Sequence, residues 1–174
     1  MTPLDALKDL KLHIQKSLTD AHYTLQKEES TELVVPYVEI CYLPHKNFTP
    51  TGFQTPGVLI CFDETRDTGT ERTMGVRILC STYGGGFYDG TTIPDAKGYE
   101  DLLNLLEWLQ TILVTKWTIG RASLNKPIEA GMYDTELSWP YWYGYISFDI
   151  SLTVIEYPLP DEMADKVKEF LYGV

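Results

Sequence analysis

Gly84, Gly85 and Gly86 follow a strand-like run, which is where a phosphate-binding loop would sit. Such a loop opens straight into a helix, so that the first free N–H groups point at the anion. Here the next helical pattern starts only at Gly98 and no Lys-Ser or Lys-Thr follows a glycine, so an ordinary loop is the plainer reading. Asp63, Glu64, Asp67 and Glu71 bring four carboxylates into one predicted turn. A calcium loop needs ligands at alternate positions, a glycine at the sixth and a glutamate at the twelfth; that pattern is missing. With 25 Asp plus Glu, nothing singles out a pair for glycoside hydrolysis. His13, His22 and His45 are scattered over a helix, a linker and a loop, without the spacing of metal ligands. Cys41, Cys61 and Cys80 lie inside apolar, strand-like runs, where a thiol is inert, and no GxSxG nucleophile turn occurs. The expectation is a protein that is not an enzyme and that uses no cofactor or metal.

The aromatic run Trp139-Pro140-Tyr141-Trp142-Tyr143-Gly144-Tyr145 is a stronger signal, with five large rings in seven residues. Three readings stand side by side. The rings could form a core corner that anchors the last strand. They could form a protein interface, since Trp and Tyr dominate binding hot spots. They could stack on a base or sugar, which the charge of the chain disfavours. The candidate interface residues are Trp139, Tyr141, Trp142 and Tyr143, together with Tyr83, Gly84, Gly85, Gly86, Phe87 and Tyr88 in the loop that precedes the longest helix.

That helix, predicted over Gly98–Lys116, is the element around which the chain is organised. Leu102, Leu106, Leu109 and Leu113 recur at helical spacing, with Leu105 and Ile112 widening the stripe. Glu100, Asn104, Glu107, Thr111 and Thr115 take the other face; Glu100 and Asp101 in the first turn and Lys116 in the last suit the helix dipole. At about five turns it can lie across a small sheet. An N-terminal helix over about 3–18 is started by Thr2 as cap, Pro3 and Asp5, with Leu4, Leu7, Ile14 and Leu18 on one face.

Residues 19–32 read as a polar connection. Leu33–Tyr42 reads as a strand placed at an edge, or bulged, by Pro36. A loop of about a dozen residues punctuated by Pro44, Pro50 and Pro56 follows. Val58–Phe62 and Arg72–Cys80 read as a hairpin, the second arm burying Met74, Val76, Ile78 and Cys80. Tyr83–Lys97 is a second long loop. Short strands are predicted at Trp117–Ile119 and Ile128–Tyr133, around the breaker Asn125-Lys126-Pro127. From Tyr143 to Glu156 apolar and polar residues alternate, with Ile146, Phe148, Ile150, Leu152 and Val154 on one face. Asp161 caps a last helix over about 161–172. The predicted fold is a single α+β domain over 1–174, with an antiparallel, at most mixed, sheet over about 33–156 and helices packed mainly on one face.

Lys and Arg total 14, which leaves a net charge of −11. Such a surface repels nucleic acid and anionic membranes, though it could line a passage that DNA slides through without sticking. The N-terminus lacks an apolar signal core, no run spans a membrane, and the odd cysteine count suggests no disulfide framework; a soluble protein made in a cytosol is expected.

Two segments together resemble a known family. Gly98-Tyr99-Glu100-Asp101-Leu102-Leu103-Asn104-Leu105-Leu106-Glu107 resembles a "glycine, aromatic, x, Asp, aliphatic, x, Asn, aliphatic, x, Glu" helix opening. Pro140-Tyr141-Trp142-Tyr143-Gly144 resembles a "Pro, three aromatics, Gly" lead-in to the last strand. The pair is similar to small prophage proteins of Gram-positive hosts encoded among tail genes, and the order of elements resembles the tail terminator proteins of long-tailed phages. The resemblance implies an α+β subunit of a homo-hexameric ring in the virion tail or neck, made in the host bacterial cytoplasm. Its partners would be the tail tube protein and the head–tail connector, with DNA passing through the ring unbound. It implies no catalytic residue. Asp63, Glu64, Asp67 and Glu71 would then be lumen acids. The long loop before Gly98 and the helix after Pro160 depart from the family pattern. Two alternatives stay open: a head-completion or adaptor protein that binds the portal, and a small ligand- or sugar-binding module.

Overall fold

The computed structural model describes residues 2–40, 54–84, 97–120, 122–133 and 140–153. Helix α1 (Pro3–Asp20) starts as its sequence dictates. The Asp5 N–H donates to Thr2 Oγ1 at 3.2 Å, the Thr2 N–H donates to Asp5 Oδ2 at 3.0 Å, and Pro3 takes the first turn. It runs two residues past the expected end and buries Ala6, Leu7, Leu10, Ile14 and Leu18. Leu4, expected on that stripe, is 52% exposed, because Ala6 and Leu10 draw the centre of the stripe away from it.

The predicted connection over 19–32 holds a short strand, β1 (Leu25–Gln26), paired antiparallel with β2 (Leu33–Val34). The strand expected over 33–42 is divided at Pro36, which has no N–H to give a ladder; β3 (Tyr37–Ile40) begins after it and is an edge strand. β3 pairs parallel with β4 (Gly57–Asp67), which makes the sheet mixed. β4 and β5 (Arg72–Tyr83) form the predicted hairpin with longer arms. The acids Asp63, Glu64 and Asp67 lie on β4 rather than in the turn, which is only Thr68–Glu71. Gly69 takes a left-handed φ of +82° there, and Asp67 Oδ1 accepts its N–H at 2.9 Å.

Helix α2 (Lys97–Thr115) buries Leu102, Leu105, Leu106, Leu109 and Leu113, the predicted stripe, while Ile112 is half-buried. Each buried leucine contributes about 1.5–3 kcal/mol. Lys116, expected in the last turn, falls just beyond the helix. After β6 (Thr118–Ile119), the predicted break at Asn125-Lys126-Pro127 does not separate two strands. Strand β7 (Ala122–Met132) crosses it as a bulge and pairs with β8 (Tyr141–Leu152) on both sides. On β8, Gly144, Ile146, Phe148, Ile150 and Leu152 are buried, as the alternation predicts.

The strand order is β3-β4-β5-β8-β7-β6. α2 covers β5, β8 and β7; α1 covers β3 and β4 and also touches β6, at the opposite end of that order. A flat sheet could not bring both ends to one helix, so the sheet curls around the helix layer. The result is an α+β fold with a mostly antiparallel sheet and both described helices on one side. No described helix is long and apolar enough to cross a membrane. The predicted last helix over 161–172, Cys41 and most of the proline-punctuated loop lie outside the described residues.

Candidate interface

The pleat of β8 divides the aromatic run between two faces. Trp142 turns toward the helices, whereas Tyr141, Tyr143 and Tyr145 turn away from them. Trp142 meets the ring of Tyr99 at 5.6 Å, edge-on, and lies against Gly98 at the start of α2. A Cβ on Gly98 would fall 2.5 Å from Trp142 Cδ1, and one on Gly84 would fall 2.6 Å from the Gly98 nitrogen. Thr82 Oγ1 donates to the Gly98 carbonyl at 2.6 Å and closes the junction. Gly84 is therefore a buried close-packing glycine, and the core-corner reading accounts for both Gly84 and Trp142. Gly85, Gly86, Phe87, Tyr88 and Trp139 lie outside the described residues.

On the other face the register lines up five tyrosines. Tyr83 is directly opposite Tyr141, with ring centroids 5.5 Å apart. The Tyr133 N–H donates to the Tyr143 carbonyl at 3.1 Å, which sets these two side by side. Tyr145 lies across Gly131, where a Cβ would come within 2.8 Å of its hydroxyl, and its ring is 5.2 Å from that of Tyr133. All five are half-buried, and Tyr133 and Tyr145 pack against the buried patch Leu59, Cys61 and Leu79. The Tyr141 hydroxyl donates to Glu28 Oε1, and Glu28 is held in turn by its N–H on the Thr55 carbonyl at 3.0 Å. Burial, reinforced by that bond, pushes the Tyr141 hydroxyl well above the ordinary tyrosine range. Burial raises Tyr143 and Tyr133 as well, with the Arg77 guanidinium partly opposing the rise at Tyr133. Tyr133, Tyr141 and Tyr143 thus present neutral hydroxyls beside apolar ring faces. Tyr133, Tyr145 and Glu28 were not among the expected interface residues. The alternation along β8 carried the signal for Tyr145; nothing local carried one for Glu28, which reaches the strip only through the β1–β2 ribbon.

Three of the four acids of the hairpin are held in ion pairs. Asp63 is paired with Arg77 at 2.8 Å, Asp67 with Arg72 at 3.7 Å, and Glu64 with Arg66. Glu71 closes the turn, its N–H donating to Thr68 Oγ1 at 3.1 Å. A shallow, open depression nearby is lined by Asp63, Gly75, Lys126, Glu129 and Asp149, and none of the strip tyrosines reaches it. Among the described residues no group of His, Cys, Asp and Glu is arranged to hold a metal ion. Cys61 and Cys80 are buried, and burial pushes the Cys80 thiol far up, so it stays protonated. Compared with known proteins, the chain matches no family model and no curated sequence.

Proposed function

We propose that this chain is a structural subunit of a phage tail or neck, a tail terminator that closes into a hexameric ring, caps the tail tube and meets the head connector. The observation that supports it is the tyrosine strip on the sheet face turned away from the helices. Five half-buried rings, two of them packed on a buried apolar patch, make the kind of surface that protein partners use as a hot spot. In a ring, the β4–β5 hairpin would border the passage. Its arginines reduce its four acids to a weakly negative surface, over which a duplex slides without being held. Native mass spectrometry over a concentration series, with negative-stain images of any large species, tests the reading. A six-membered ring with a central hole is the expected result. A tight, closed dimer would refute it, because a two-fold interface that satisfies itself leaves nothing to cap a tube.

A further inference from the structure

The strand order ends at β6, yet β6 covers only the first part of β7. Thr118 and Ile119 pair with Ser123 and Ala122, and the Leu124 N–H donates to the Trp117 carbonyl at 2.8 Å. From Glu129 to Met132 no described strand lies along the outer side of β7. The register shows which backbone groups are left there. The Tyr133 N–H bonds the Tyr143 carbonyl, so Gly131 and Glu129, on the same alternation, also face β8. Ala130 and Met132 turn their N–H and C=O groups away from it. Ala130 is exposed, while Ile128 and Met132 are half-buried against the helix-side core. Edge strands are normally blunted by lysine, proline or a bulge. In β7 all three devices, Lys126, Pro127 and the bulge, sit mid-strand and leave Ile128–Tyr133 beyond them with Glu129 as its one charge.

We propose that this open edge of β7 binds an extended strand of a second copy of this chain. Outward main-chain groups select an extended backbone rather than a small ligand. The chain carries such a strand at the far end of its own sheet. In β3 the Tyr37 N–H donates to the Pro56 carbonyl at 3.0 Å, so Tyr37 and Glu39 face β4, and Val38 and Ile40 turn their backbone groups outward. Val38 and Ile40 pack with the helix-side core, as Ile128 and Met132 do. A junction of β7 with β3 of the next copy would therefore continue both the sheet and its apolar layer. Charge permits it: Glu39 is paired with Lys11 at 2.7 Å, so among the described residues of the two edges of a chain carrying −11 only Glu129 is an acid outside an ion pair. The inference rests on the self-assembly read above, and a head-to-tail junction is the kind that closes a ring.

The test compares the wild-type chain with Ala130→Val, which keeps the N–H, Ala130→Pro, which removes it, and Ala130→Lys, which places a charge on the edge. The Ala130 N–H makes no bond within the sheet, so the proline variant keeps the β7–β8 ladder. Circular dichroism and melting check folding, and native mass spectrometry reads assembly. The expected result is that wild type and Ala130→Val assemble alike, while folded Ala130→Pro and Ala130→Lys assemble about tenfold or more weakly. Should the proline variant fail to fold, the lysine variant carries the test. Rings formed equally by every folded variant would overturn this edge as the junction and leave the ring reading standing. A closed dimer dispersed by Ala130→Pro and Ala130→Lys would support the edge and refute the ring. A folded wild type that stays monomeric at its highest soluble concentration would overturn the inference.

Discussion

Replacing Gly98 by alanine weakens this protein, although helix propensity alone argues the opposite. Gly98 lies in the first turn of α2, and alanine is preferred over glycine in a helix by about 0.5–1 kcal/mol. The added methyl, however, would sit 2.5 Å from Trp142 Cδ1, 2.7 Å from its Nε1 and 2.8 Å from the Gly84 nitrogen. Trp142 could turn aside only by leaving Tyr99, and the Gly84 backbone has no rotamer to change. Overpacking of a filled site costs about 1–3 kcal/mol, and contacts this short against a side chain and a backbone belong to the upper part of that range, so the net change is a loss of about 1–2 kcal/mol. For a chain of this size that lowers Tm by about 2–8 °C. Thermal and denaturant unfolding of Gly98→Ala reads the effect directly. In a Trp142→Ala background the same change is milder, because the two short contacts with the indole are then gone. A Gly98→Ala protein that melts at or above the wild-type temperature would refute the close approach of α2, β5 and β8 at this junction.

Two further outcomes follow from buried polar groups. His13 has a buried Nε2 without a hydrogen-bond partner among the described residues, and its pKa is lowered by burial and then by the charge of Lys116, with a backbone hydrogen bond at Ile112 opposing. The unfolded chain therefore takes up this proton before the folded one does, so stability is full above the ordinary histidine pKa and falls as pH drops below about 6.5. Denaturant midpoints measured between about pH 7.5 and 5.5 should decline in the wild type and flatten in His13→Leu. Tyr141→Phe removes the hydroxyl that Glu28 accepts and costs about 1 kcal/mol in unfolding measurements. A Glu28→Gln variant, which keeps an acceptor, loses less.

Much of the fold was legible because the signals are local and repeated. The leucine stripe of α2, the Thr2–Asp5 cap and the alternation of β8 are each set by residues within a few positions of one another. What failed was where a local breaker met a tertiary ladder. Pro127 and its neighbours end a strand in isolation, but β8 offers partners on both sides, so β7 passes through as a bulge. Asp63, Glu64 and Asp67 read as a turn because they are polar, yet β4 continues through them beside β5 and they are exposed on a strand.

The candidate site divides the same way. Composition and the spacing of aromatic residues pointed to Tyr83, Tyr141, Trp142 and Tyr143, because large rings with polar tips concentrate wherever buried area is needed. Which of them serve the core and which form a surface depends on the pleat and on the approach of α2, and that consigned Trp142 and Gly84 to packing. Tyr133, Glu28 and the arginine partners of the acids come from residues distant in sequence or across a hairpin, and no local pattern announces them. The edge of β7 is of the same kind: among the described residues it is open because β6 is only two residues long, and the direction of each N–H is set by its register with β8. Residue types along the chain determine which faces are apolar and where the charge lies. Only pairing across the sheet decides which backbone groups remain unpaired, since a hydrogen-bond partner is a property of neighbours in space rather than of neighbours in sequence.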